Sequence, residues 1–221
     1  MSAENRHDHW QKVYTSKGEN ELSWFQESPV PSLELIERAG ANPDSAIVDI
    51  GGGASRLVDA LIERAFRAIT VLDLSEAALA TARARLGERA HDVQWIASDV
   101  TTWEPPASFD IWHDRAAFHF LTEARDRAAY LAALRKALKP GGHAIIATFA
   151  LDGPERCSGL PVVRYDAAGL GQALGDGFAL VETRNHRHTT PWQSVQQFQF
   201  SLFRRVQKPE AISMVLSALR R

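Results

Sequence analysis

Three places in the 221-residue sequence combine residue types that could hold a polar ligand. The first is Asp49-Ile-Gly-Gly-Gly-Ala-Ser55, a glycine cluster that lets backbone come close to a bound molecule. The second is Asp73 and the third Asp99. A carboxylate at the second place can accept hydrogen bonds from both hydroxyls of a ribose. A carboxylate at the third could take an amino hydrogen of adenine. A glycine turn, an acid and an acid in that order are what an adenosine ligand needs. Each acid also has an ordinary reading: Asp73, followed by Ser75-Glu76, could cap a helix, and Asp99 could be a loop or cap residue.

A fourth run, Trp112-His113-Asp114-Arg115-Ala-Ala-Phe118-His119-Phe120, carries groups suited to proton transfer or charge stabilisation. His113 or His119 could serve as a base, and Arg115 as a cation that stabilises a thiolate. Equally, Asp114 and Arg115 could form an ion pair or cap the next helix, and His119 could be a packed core imidazole. Cys157, with Arg156 beside it, is either a reactive thiol or, as single cysteines usually are, a small buried hydrophobe. His186 and His188 lie two apart on irregular chain and read as surface residues rather than a metal pair.

The elements that must position these groups follow from hydrophobic spacing. Short apolar runs at 46–50, 68–72, 93–97, 109–112 and 143–149 predict five strands. Helical spacing predicts helices from Pro31 to about Gly40, over 57–65, over 77–86 and over 128–138. Strands alternating with helices indicate β-α-β units and a mostly parallel sheet. Their continuous apolarity fits strands covered on both faces. In such a sheet ligands bind beyond the carboxyl ends of the strands, where the glycine turn, Asp73 and Asp99 stand. Later, 178–183 and 198–204 predict two strands with a short connection, which favours antiparallel pairing. Pro209 opens a short helix over 212–219. Residues 1–28, with His9, Trp10, Tyr14, Trp24 and Phe25, are too aromatic for a disordered tail and too irregular for a long helix. They read as a flap packed on the domain or as an aromatic lid over a ligand.

The motifs Ile47-Val-Asp-Ile-Gly-Gly-Gly53, Val71-Leu-Asp-Leu-Ser75, Ser98-Asp-Val100 and Leu138-Lys-Pro-Gly-Gly142 resemble those of class I S-adenosylmethionine-dependent methyltransferases. The resemblance covers roughly residues 30–204. It implies an α/β fold, a Rossmann-like three-layer sandwich with a seven-stranded, mostly parallel sheet whose last strand is antiparallel. It implies S-adenosyl-L-methionine as cofactor and S-adenosyl-L-homocysteine as product. It places Asp49, Gly51 and Gly53 at the methionine end, Asp73 at the ribose, Asp99 at the adenine, and Leu74 and Val100 against the adenine ring. Ser55 stands where many members have a third glycine. The stretch from Asp114 to Phe118 is similar to the Asp-Arg/Lys-Gly segment of two groups, the thiopurine and small-thiol methyltransferases and the lysine methyltransferases of elongation factor and citrate synthase. Ala116 replaces the glycine. Both groups begin with an aromatic segment like Trp10 to Phe25, which implies that Trp10, Tyr14 and Trp24 fold over the cofactor. His113, Asp114, Arg115 and His119 are then the catalytic candidates. The expected organisation is a flap over 1–30, a methyltransferase domain over 31–207 and a C-terminal helix over 208–221.

Composition narrows the acceptor. Hydrophobic residues at 45% and charged residues at 24% fit an ordinary globular domain, which buries enough surface to fold without a metal or disulfide. Lys+Arg 25 against Asp+Glu 27 leaves no basic excess to attract nucleic acid. One cysteine permits no internal disulfide, and the eight histidines show no zinc spacing, so no metal is expected. No apolar run approaches the ~20 residues of a membrane span, and the N-terminus has no apolar signal core, so a cytoplasmic protein is expected. A closed, apolar, aromatic site suits a small molecule, and the expected acceptor is a thiol or other soft nucleophile. A lysine-peptide site should display more acids than Asp110, Asp114 and Glu123, so a protein substrate is the alternative. A cofactor sensor without catalysis is a further reading. A nicotinamide-dependent oxidoreductase is disfavoured, because the glycines are consecutive and Arg56 stands where the dinucleotide fingerprint ends. Oligomeric state leaves no mark in the sequence.

Overall fold

The computed structural model describes residues 3–105 and 108–206. The helix expected over 212–219 lies outside them. Seven strands form one sheet: β1 (Ala46–Ile50), β2 (Ala68–Asp73), β3 (Val93–Ala97), β4 (Phe109–Arg115), β5 (Leu138–Phe149), β6 (Phe178–Thr189) and β7 (Val195–Arg205). Their spatial order is β3-β2-β1-β4-β5-β7-β6. All neighbours are parallel except that β7 runs antiparallel to both β5 and β6. The order reverses between β1 and β4, so a cleft opens at their carboxyl ends. Among the described residues no helix is long and apolar enough to cross a membrane.

The period-2 alternation of side chains decides what each strand residue meets. Ile47 and Ile111 turn to one face and pack with Leu33, Leu35 and Ile36 of α2 (Val30–Arg38), Leu57, Val58 and Leu61 of α3 (Leu57–Glu63), and Leu79 and Leu86 of α4 (Glu76–Leu86). Val48, Ile50 and Trp112 turn to the other face and pack with Tyr130, Leu131 and Leu134 of α5 (Ala124–Ala137) and Leu170 and Leu174 of α6 (Ala167–Leu174). Each fully buried Leu, Ile or Phe contributes roughly 1.5–3 kcal/mol, against about 0–1 for an exposed ion pair. The two apolar faces therefore hold the sheet in place.

The structure departs from the sequence expectations at three places. Ala3–Ser16 is a 14-residue helix, α1, where irregular chain was expected. Its polar composition hides the stripe Arg6, Trp10 and Tyr14, which recurs every fourth residue and faces the protein. Strand β4 continues to Arg115, and β5 begins at Leu138, with a register shift between Phe109 and Ile111 that absorbs Pro140-Gly-Gly142. Strands β6 and β7 run on through the polar segment 184–189, pairing up to Thr189 and Val195. β6 is the sheet edge, so polar residues alternate along it without burial cost.

Candidate active site

At the carboxyl ends of β1 to β4 lies a cavity of about 100 Å³. Its floor is Ile50, Gly51, Leu72, Asp73 and Leu74, its far wall Ser98, Asp99 and Val100, and its near wall Arg115, Ala116, Phe120, Cys157 and Phe198. Arg6, Trp10, Tyr14 and Trp24 line it from the N-terminal segment. Of the residues expected around a nucleoside, Gly51, Asp73, Leu74, Asp99, Val100 and all three aromatics line the cavity.

The glycine turn is shaped by what lies against it. Gly51 N donates to Leu72 O at 2.8 Å, folding the chain across the tip of β2. Gly53 has φ +42°, and a Cβ there would come 2.8 Å from Asp73 Oδ2 and 3.0 Å from the Tyr14 hydroxyl. Only glycine leaves that corner free. Asp49 stands behind the turn: a Cβ on Gly52 would lie 2.6 Å from its Oδ2. Ser55 Oγ accepts from Leu57 N, the first residue of α3, at 3.1 Å. Arg85 of α4 pins the turn from outside, donating to Ala54 O and Ser55 O while pairing with Glu19 and Asp59.

Asp73 is buried, and its Oδ1 accepts from Ser75 N at 2.8 Å. Burial pushes its carboxyl up to about 7, against the pull of backbone N–H donors and with a further push from Asp49. Ser75 is separately the cap of α4, accepting from Ala78 N, so the acid is not itself the cap. Asp99 is held differently. Burial would raise it, but hydrogen bonds from Arg6 and Thr101 outweigh that and keep it below the usual carboxylate range. Arg6 donates to Asp99 Oδ2 at 2.7 Å and to Asp126 Oδ2 at 2.6 Å, tying α1 to the wall.

The run at the carboxyl end of β4 divides by parity. His113 points to the α2 side, with Nδ1 2.7 Å from Asp49 Oδ1 and Nε2 2.8 Å from Ser32 Oγ. Both ring nitrogens are engaged and the ring does not line the cavity. Asp114 points to the α5 side, accepting from the Tyr130 hydroxyl, Ala117 N and Phe118 N. Burial raises its carboxyl to about 6 despite those donors. His119 packs between Phe120 and Phe149, accepts from Phe149 N at 3.3 Å, and is pushed down to about 3 by burial and then by Arg115. Three of the four catalytic candidates thus do not line the cavity: His113 shares the face of Arg115 but is held between Asp49 and Ser32, Asp114 takes the opposite face, and the turn beyond the strand folds His119 into the core.

Arg115 is the one that lines it. Its Nη1 donates to Trp24 O at 2.8 Å, and its guanidinium carbon lies 5.0 Å from the centroid of Phe198. Its Nε and Nη2 are shielded from solvent and, among the described residues, have no hydrogen-bond partner. Burial lowers it to about 10, so it remains a cation at neutral pH. Ala116, next along, takes φ +69°, the left-handed conformation that glycine would adopt freely. Cys157 sits on a small hairpin (Arg156–Cys157 with Leu160–Pro161). Burial pushes its thiol up to about 11, partly offset by Ser23 and Arg115. His188 is buried, donating from Nε2 to Ser23 O at 2.6 Å, which corrects its expected surface position. Arg6 and Phe198 were not singled out from sequence; the four-residue spacing of Arg6, Trp10 and Tyr14 was the available signal.

Residues 47–142 match the family model described as a methyltransferase domain. The ubiquinone biosynthesis O-methyltransferase of Idiomarina loihiensis is 36% identical over 46% of this chain and 41% of its own. Thiocyanate methyltransferase 1 of Arabidopsis thaliana is 27% identical over 82% of this chain and 78% of its own. The matched segment spans 21% to 41% of the length of several of the curated methyltransferases that match. Among solved structures, 1,6-didemethyltoxoflavin-N1-methyltransferase of Burkholderia thailandensis, with S-adenosylhomocysteine bound, superposes with TM-score 0.71 at 22% identity over 94% of this chain and 92% of its own.

Proposed function

We propose that this chain, whose residues 47–142 match a family model described as a methyltransferase domain, is a class I S-adenosylmethionine-dependent enzyme that transfers a methyl group from S-adenosylmethionine to a small acceptor with a soft nucleophile, a thiol or its equivalent. The residues present fit the cofactor. Gly51, the buried Asp73, Leu74, Asp99 and Val100 line one cavity, and the absence of a Cβ at Gly53 lets the turn lie close against the Asp73 carboxylate. In this reading Asp73 holds the ribose, Asp99, Leu74 and Val100 the adenine, and Asp49 with Gly51 and Gly53 the methionine end. Trp10, Tyr14 and Trp24 cover it as part of a flap over 1–30. When bound, S-adenosylmethionine supplies a methyl group on a positive sulfur, whose departure as a neutral thioether needs no acid. The protein's task is to align the acceptor, exclude water and leave the nucleophile a free lone pair.

The observation that carries this reading is the makeup of the cavity wall. Among the described residues lining it there is no imidazole, and the aromatic rings of Trp10, Trp24 and Phe120 close it. An alcohol or ammonium acceptor needs a base in the site; a thiol needs only to ionise, at a pKa near ~8.5. The likeness to a thiocyanate methyltransferase supports the same choice. Calorimetry with S-adenosylhomocysteine, followed by turnover with alkyl and aryl thiols, amines and protein lysines, tests it. Uptake of the cofactor product and turnover of thiols are expected. Turnover of protein lysines with none of thiols would overturn the acceptor class, and lack of cofactor uptake the whole reading.

A further inference from the structure

We infer that Arg115 is the acceptor's anion-binding residue, so that the substrate enters as a small soft monoanion and leaves as a neutral methylated product. The inference rests on the methyltransferase reading and narrows its acceptor. Buried guanidinium groups are ordinarily paired with carboxylates. The other shielded arginines near the site obey that rule: Arg6 pairs with Asp99 and Asp126, and Arg85 with Asp59 and Glu19. Arg115 does not. Its single hydrogen-bond acceptor is the carbonyl of Trp24, one face rests on Phe198, and Nε and Nη2 have no acceptor among the described residues although solvent does not reach them. Leaving donors on a buried cation unmet is costly, and a site that tolerates it is shaped for an acceptor that arrives from outside.

That acceptor would share the cavity with Trp10, Trp24, Phe120 and Phe198, all apolar rings, and with Cys157, whose thiol stays protonated. Among the described residues the other cation lining the cavity is Arg6, which is paired with Asp99 and Asp126, so the wall around Arg115 is set to balance one negative charge. The walls favour a polarisable, weakly hydrated anion over a strongly hydrated one. The transfer then cancels charge. The anion's lone pair forms the new bond to the methyl carbon as that carbon's bond to the positive sulfur breaks, and the breaking pair stays on the sulfur. One anion and one sulfonium become two neutral molecules, with no proton to place. Low polarity speeds such a step, and loss of the negative charge releases the product from Arg115. An ammonium group, as on lysine, would meet a like charge here.

The test uses protein saturated with S-adenosylhomocysteine, so that binding is read without turnover. Benzenethiolate, above its own pKa, and neutral thioanisole are titrated by the change in the protein's tryptophan fluorescence, to which Trp10 and Trp24 in the cavity wall contribute. Wild type is expected to bind the anion at least about tenfold more tightly. Arg115→Met is expected to lose that preference while keeping its affinity for S-adenosylhomocysteine, and Arg115→Lys to keep part of it. Should Arg115→Met fail to fold, benzenesulfonate and benzenesulfonamide settle the point on wild type: the sulfonate displaces bound benzenethiolate and the neutral amide does not. Equal binding of anion and neutral partner by protein that holds S-adenosylhomocysteine overturns the role of Arg115 alone. Failure to hold S-adenosylhomocysteine overturns the underlying reading as well.

Discussion

The guanidinium of Arg6 donates to the carboxylate of Asp99 at 2.7 Å and so fastens the N-terminal helix to the tip of β3. The same group reaches Asp126 at 2.6 Å. Both pairs are largely shielded from water, where charge-assisted hydrogen bonds contribute about 1.5–3 kcal/mol. Arg6→Met is expected to release α1 without unfolding the sheet. Hydrogen exchange should show lost protection over residues 3–16 and unchanged protection in β1, β2 and β4. Unaltered exchange in α1 would show that the contacts of Trp10, Tyr14 and Gln11 hold it without Arg6.

Asp73 makes cofactor affinity depend on pH. Its carboxyl is raised to about 7 by burial, while ribose hydroxyls would donate to the ionised form. Affinity for S-adenosylhomocysteine is therefore expected to rise by about tenfold from pH ~6 to ~8. Stability of the free protein has the opposite sign. A folded pKa above the unfolded value gives a contribution that is complete below the unfolded pKa, near ~3.9, and lost as pH climbs to about 7. Asp73→Asn should flatten both curves. Parallel pH profiles of melting temperature for wild type and Asp73→Asn would refute this.

His113 bridges Asp49 and Ser32 and offers no free nitrogen. Its expected role is to hold the Asp49 carboxylate in place behind the glycine turn. His113→Ala leaves that buried carboxylate short of a donor and should cost about 1–3 kcal/mol in urea unfolding. Turnover at saturating acceptor should change only a few-fold, with an unaltered pH profile. A loss of 10²-fold or more with stability intact would restore His113 as a base.

The sheet was legible because its signals are local. Continuous apolar runs, glycine after β1 and acids after β2 and β3 each occupy a few adjacent residues. The chemistry after β4 was harder, although alternation already separates its members: His113 and Arg115 share one face, and Asp114 takes the other. What the alternation cannot say is which face opens on a cavity. That depends on Ser32 of α2 occupying the His113 ring, on Tyr130 of α5 occupying Asp114, and on Phe198 of β7 lying under Arg115. These partners are distant in sequence. The helix α1 was illegible for a related reason. Its mean hydropathy is polar, and it is held by a stripe of Arg6, Trp10 and Tyr14 and by Gln11, whose Oε1 accepts from Ser75 Oγ at 2.9 Å. Tertiary contacts, more than intrinsic propensity, keep it folded.

Tyr130 links the α5 side of the sheet to the turn that carries the cavity wall. Its hydroxyl accepts from Trp112 Nε1 at 2.8 Å and donates to Asp114 Oδ2 at 2.7 Å, while Asp114 receives the N–H groups of Ala117 and Phe118. Tyr130→Phe fills the same space but leaves an indole N–H without an acceptor and an acid with one donor fewer. The expected cost is about 1–3 kcal/mol. It should also depend on pH in a definite direction. Asp114 is raised to about 6 by burial, and the Tyr130 hydroxyl is the largest influence holding it down. Without that hydroxyl the folded pKa moves higher still. The stability that is complete below the unfolded pKa is then lost over a wider range, extending above 6 towards neutrality. The gap in melting temperature between wild type and Tyr130→Phe is therefore expected to widen as pH rises from ~5 to ~8. A gap that stays constant would mean that Asp114 carries the same charge in both proteins and that the lost Trp112 contact accounts for the whole effect.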